Sequence, residues 1–103
     1  TLPHCSNCGG LCRPDIVWFG EYVREEDINL AYDYANTCDM ILVVGTSGEV
    51  SRGYGLAQTV ARRKAIVVEV NPNRGYLTDY AKHIISFQAG VALPPLWETV
   101  TGK

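Results

Sequence analysis

The chain has 103 residues, 47% of them hydrophobic and 19% charged, with a formal net charge of -2, the profile of one soluble globular domain. Nine Lys and Arg against eleven Asp and Glu leave no basic surplus for binding a nucleic-acid backbone. No apolar run approaches the ~20 residues that a membrane span needs.

Thr1-Leu2-Pro3-His4-Cys5 has neither the charged nor the apolar region of a signal peptide, so a reducing, cytoplasmic setting is expected. The stretch CSNCGG then places Cys5 and Cys8 at the spacing of half a tetrahedral metal site, and no second Cys-x-x-Cys follows. Disulfides, a redox pair and a zinc half-site all fit four cysteines at 5, 8, 12 and 38. The small residues after Cys8 favour metal, because they let backbone amides turn toward the sulfurs. Cys12 and Cys38 read as ordinary semi-buried thiols. Residues 1–14 are expected to be the remnant of a zinc-ribbon module, followed by DIVWFGE as a short extended run that opens a second unit, residues 15–103.

From about residue 24 the pattern is α/β. REEDINLAYDYANT reads as an amphipathic helix with Ile28, Leu30, Ala31, Tyr34 and Ala35 near one face and an acidic start suited to the helix dipole. MILVVG is a continuous apolar run, expected to be a parallel strand buried on both faces. A glycine-rich turn, GTSGEVSRGYG, leads into the helix LAQTVARR, whose end at Arg62-Arg63-Lys64 suits its own dipole. AIVVEV is a second buried strand, broken at NPNRG. A short helix around residues 76–82, a third strand HIISF and a helix LPPLWETV complete half of a doubly wound, Rossmann-like parallel sheet.

Ligands dock at the carboxyl ends of such strands. There Gly45, Gly48 and Gly53 permit close backbone approach, and Thr46 and Ser47 offer hydroxyls to phosphate or ribose. The turn is neither G-x-G-x-x-G nor a P-loop, so a plain strand-to-helix turn is an equal reading. The next strand ends in Glu69-Val70-Asn71, where dinucleotide folds read a ribose hydroxyl.

CSNCGG, RPDIVWFGE, GTSGEV, VEVNPN and FQAGVALPPL together resemble the sirtuins, NAD-dependent protein deacylases, over essentially the whole chain. The wording is similar to the bacterial-type branch, which includes enzymes that remove acyl groups other than acetyl. The resemblance implies that the chain is a C-terminal half, beginning after the first cysteine pair and the catalytic histidine, with a partner in the missing N-terminal half. It implies zinc at Cys5 and Cys8, and NAD contacts from Gly45, Thr46, Ser47, Asn71, Asn73 and Ala89. Val17, Phe19, Gly20 and Glu21, facing Gly48, Glu49 and Val50, would hold an acyl-lysine peptide as an added strand. No residue matches the catalytic base: His4 adjoins the metal pair and His83 opens a strand. In the whole enzyme the acyl oxygen attacks the nicotinamide ribose with that histidine as base, so the chain alone is expected to be inactive. Ser51, Arg52 and Gly53 depart from the family, which has a proline there, and Cys12 replaces an aliphatic residue or methionine. The rival readings are a self-contained, non-catalytic nucleotide- or zinc-binding module and a truncated product without an independent fold.

Overall fold

A computed structural model describes residues 1–50 and 54–103, so the departure at Ser51, Arg52 and Gly53 lies outside the described residues. The elements run α1 (Glu25–Thr37), β1 (Met40–Val44), α2 (Leu56–Arg62), β2 (Ile66–Val70), a 3-10 turn (Thr78–Tyr80), β3 (His83–Ile85) and α3 (Ala89–Thr101). The strands form one parallel sheet in the order β1-β2-β3. Met40 to Val44 lie opposite Ile66 to Val70, and Val68 to Val70 lie opposite His83 to Ile85. The α/β class and the parallel, Rossmann-like sheet expected from the apolar runs are therefore present.

The core lies on one face of that sheet, where Val43 and Val67 meet Ala57 and Val60 of α2, Ala35 of α1 and Leu77. Ile28, Ala31 and Ala35 turn inward or partly so. Leu30 and Tyr34, expected on the same face, are 54% and 65% exposed, because the buried stripe continues through Ala35 to Cys38 instead. Cys38 is partly buried as expected, whereas Cys12 is exposed. The Arg63 backbone caps α2, donating to Thr59 O at 3.2 Å, while its side chain reaches across to α1. Its Nη1 donates to the carbonyls of Ala35 at 2.9 Å and Cys38 at 3.0 Å, covering orphan acceptors at the end of α1.

β2, flanked on both sides, is buried from Val67 to Val70. β1 departs from the expectation of burial on both faces: Met40 and Leu42 are 52% and 44% exposed. Alternation along a strand puts these two on the face away from the core. That face lines an apolar groove shared with Leu93 and Trp97 of α3.

The C-terminal helix starts earlier than expected, at Ala89, and carries Pro94 and Pro95 inside it. Each proline removes one backbone donor from the helix ladder. The helix around residues 76–82 shrinks to the single 3-10 turn. No described helix is long and apolar enough to cross a membrane.

Candidate functional site

The carboxyl ends of β1 and β2 are joined by hydrogen bonds that knit the sequence-selected residues together. Gly45 N donates to Val70 O at 2.9 Å, and Asn71 Nδ2 donates to Thr46 O at 2.7 Å. Asn71 Oδ1 also accepts from Asn73 N at 3.3 Å. Asn71 thus spans the two strand ends, with Gly45, Thr46 and Ser47 on one side and Asn73 on the other. The Thr46 hydroxyl accepts from Gly48 N at 3.0 Å and the Ser47 hydroxyl from Glu49 N at 3.4 Å, so both oxygens help to shape their own loop. The N–H groups of Thr46 and Ser47 donate to no acceptor among the described residues. Gly45 has φ +63, and a side chain there would meet no atom within 4 Å, so the backbone faces open space. Two amides with no acceptor among the described residues, beside a glycine at a strand end, suit a phosphate. These donors fit a phosphate group of the kind a dinucleotide carries. Ala89 opens α3 beyond β3, and no hydrogen bond among the described residues ties it to the Asn71 cluster.

A second layer, invisible to motif reading, supports this loop. Tyr76 N donates to Ser47 O at 2.9 Å. Gly75 lies so close that an added Cβ would sit 2.6 Å from the Ser47 carbonyl oxygen. Gly48, at φ +80, would drive a Cβ to 2.7 Å from Leu77 Cγ. Both glycines are therefore required by close approach. The turn pattern NPNRGYLT carried a signal for a break after β2, but none for the contact back to residue 47.

The segment 15–21 is not a strand: residues 15–16 form a bend and 19–20 a turn. A polar clasp is the reason. Arg13 Nη1 donates to Glu21 Oε1 at 2.7 Å, and Arg13 Nη2 donates to Glu21 Oε2 and to Ile16 O, each at 3.2 Å. Trp18 N donates to Glu21 Oε2 at 3.1 Å, and the Arg13 guanidinium lies 5.5 Å from the Trp18 ring centroid. The hydrogen bond from Arg13, with help from the Trp18 N–H, holds the Glu21 carboxyl below its usual range. Between the ends of this loop Val17 is 53% and Phe19 94% exposed, and Gly20 adopts φ +87. Gly48 is buried, while Glu49 and Val50 are exposed in a turn. No hydrogen bond among the described residues links 17–21 with 48–50.

At the N-terminus, His4 and Leu11 form an antiparallel bridge, and Gly9 N donates to Cys5 O at 2.9 Å. The backbone amides of Cys8 and then Asn7 point at the Cys5 sulfur, lowering its pKa. A Cβ on Gly10 would contact Cys8 Sγ at 3.4 Å. The turn brings Cys5 and Cys8 together as expected. Among the described residues no group of three or more His, Cys, Asp or Glu side chains could hold a metal, so the turn offers two donors only. His4 Nδ1 is bonded to Gly9 O at 2.9 Å, and His83 sits at the amino end of β3, away from the strand ends that form the site.

A family model for Sir2 matches residues 1–52. The NAD-dependent protein deacylase of Pyrococcus furiosus is 40% identical over 99 residues, which are 96% of this chain and 40% of that protein. The NAD-dependent protein deacylase of Thermococcus kodakarensis is 41% identical over 99 residues, 96% of this chain and 38% of the relative. The chain thus spans about two fifths of the length of the curated relatives it matches. The crystal structure of a Sir2 homolog in complex with NAD is similar over 99% of this chain and 40% of that one, with a TM-score of 0.82 at 33% identity.

Proposed function

The chain belongs to the Sir2 family, and on that premise we propose that it forms the NAD-binding and peptide-binding portion of an NAD-dependent protein-lysine deacylase. The observation that carries the reading is the Asn71 to Thr46 bond, which ties two strand ends together beside the amides of Thr46 and Ser47, neither of which has an acceptor among the described residues. NAD, when bound, would supply the ADP-ribose acceptor for the acyl group. Gly45, Thr46 and Ser47 would receive phosphate, Asn71 and Asn73 ribose, and Ala89 the adenine end.

The acyl-lysine peptide would lie between the 17–21 loop and residues 48–50. Phe19 and Val50, 94% and 68% exposed, offer apolar surface to the acyl-lysine stem. Glu21 would act there by holding the loop, since Arg13 and the Trp18 amide occupy both of its oxygens. The catalytic base would come from outside these residues, because neither histidine lies at the strand ends. Cys5 and Cys8 would be two of four ligands to a structural zinc. A reducing, cytoplasmic setting belongs to the same proposal and agrees with four free cysteines.

The test joins this chain to the part of a deacylase relative that lies outside the match. Asn71→Ala should raise the NAD concentration for half-maximal deacylation about tenfold, within the roughly 1–3 kcal/mol for a lost polar partner. Ser47→Ala should act in the same direction. If the joined protein binds an acyl-lysine peptide and neither substitution alters its NAD dependence, the nucleotide assignment is wrong.

A further inference from the structure

Glu69 lies in the middle of the sheet with 1% of its surface exposed, which is an expensive place for a carboxylate. Its Oε1 accepts a 2.7 Å hydrogen bond from the Thr78 hydroxyl, and Thr78 is itself 2% exposed. Its Oε2 is buried and has no partner among the described residues. A valine at this position would match its neighbours Val67, Val68 and Val70, so apolar packing alone does not call for an acid here.

The Thr78 oxygen that donates to Glu69 also accepts from Gly75 N at 2.8 Å. Gly75 packs on the Ser47 carbonyl, and the next residue, Tyr76, donates its N–H to that same oxygen. A continuous path therefore runs from the Glu69 carboxylate through the Thr78 hydroxyl and the Gly75 turn to Ser47. We propose that Glu69 is a positioning residue for the nucleotide loop, setting through Thr78 and Gly75 where the Ser47 backbone stands relative to Asn71. Glu69 lies in β2 and Asn71 immediately after its last residue, so the same strand end holds the loop twice: directly at Thr46 through Asn71, and at Ser47 through the buried acid. Burial excludes direct contact between Glu69 and a ligand. The inference rests on the proposed assignment of residues 45–47 to NAD.

The experiment reads amide hydrogen exchange in the 103-residue chain and then NAD kinetics in the joined deacylase. In Glu69→Val, which removes the acceptor but keeps the Thr78 hydroxyl, and in Thr78→Val, exchange of the Tyr76 amide should accelerate at least tenfold while Val43 and Val68 amides stay within twofold of the parent protein. Thr78→Ser and Glu69→Gln, which keep the hydroxyl and the accepting oxygen respectively, should retain slow exchange. In the joined enzyme Thr78→Val should raise KM for NAD about tenfold and leave KM for the peptide within twofold. Unchanged Tyr76 exchange, acceleration shared equally by Val43 and Val68, or failure of Thr78→Ser to retain slow exchange would each overturn the brace. Faster Tyr76 exchange with unchanged KM for NAD would overturn the link to the nucleotide. The exchange readout needs no nucleotide, so it separates a failed brace from a failed NAD assignment, which Asn71→Ala reports on its own.

Discussion

The sheet region, residues 40–85, and the N-terminal region, residues 1–24, are held by different forces. In the first, Val43, Val60, Val67 and Leu77 are buried, and polar contacts such as Asn71 to Thr46 sit on top of an apolar foundation. In the second every residue but Cys5 and Val23 is exposed, and order comes from backbone turns and the Arg13 to Glu21 clasp. Apolar burial is non-directional and large, whereas exposed ion pairs are directional and weak. The sheet region can therefore carry a site that needs fixed distances. The N-terminal region can present a shape, and depends on its few polar links to do so.

The sharpest way to break this contrast is to truncate side chains in both regions. Leu77→Ala, at 5% exposure, should cost about 2–5 kcal/mol, read from urea denaturation. Leu11→Ala, at 66% exposure, should stay within about 0.5 kcal/mol of the parent chain. Equal costs would mean that the N-terminal region is packed after all.

Next in size is Gly75→Ala. Its Cβ would meet the Ser47 carbonyl at 2.6 Å, and backbone must shift to relieve that contact. A loss of about 1 kcal/mol or more is expected, together with a weakened response to NAD in the joined enzyme. A neutral Gly75→Ala would show that the loop does not depend on this close approach.

Metal binding probes the other region. Two thiolates leave half of a tetrahedral zinc site to other donors, so the 103-residue chain should lose zinc on dialysis against a mild chelator. Stoichiometric retention that disappears in Cys8→Ser would contradict this, and a dimer with half a zinc per chain would show two copies sharing one ion.

The smallest effect is expected from acid. The Glu21 pKa is lowered in the folded chain by Arg13, so the clasp contributes fully above the ordinary carboxylate range and is lost as pH falls through the lowered value. In a Trp97→Phe background, Trp18 fluorescence should report a midpoint below that range, and Arg13→Ala should move it upward. An unmoved midpoint would mean that another group holds the loop.

Much of the sheet was legible because its cause is local. MILVV and IVVEV have the length and β-branching of parallel strands, and both form within a residue or so of the expected bounds. The candidate site was half legible: Gly45, Thr46, Ser47, Asn71 and Asn73 stand out by chemistry at strand ends, and the structure gathers them. Gly75, Thr78 and the bracing role of Glu69 did not stand out, because their meaning lies in the contacts of Glu69 with Thr78, 9 residues away, and of Gly75 with Ser47 in another loop. The extended reading of DIVWFGE failed for a related reason. Arg13 and Glu21 are 8 residues apart, and their pairing bends a segment whose composition favours a strand.

Local chemistry in the sequence determined the α/β order, the thiol turn at Cys5 and Cys8 and the polar residues at the strand ends, since periodicity and turn residues act within a few positions. Only the tertiary structure decided that β2 is enclosed while one face of β1 lies open, that the Arg63 side chain covers the end of α1, and that a buried acid stands behind the loop at Ser47. Those outcomes depend on which surfaces meet, and burial is a property of the neighbours an element acquires, not of the element alone.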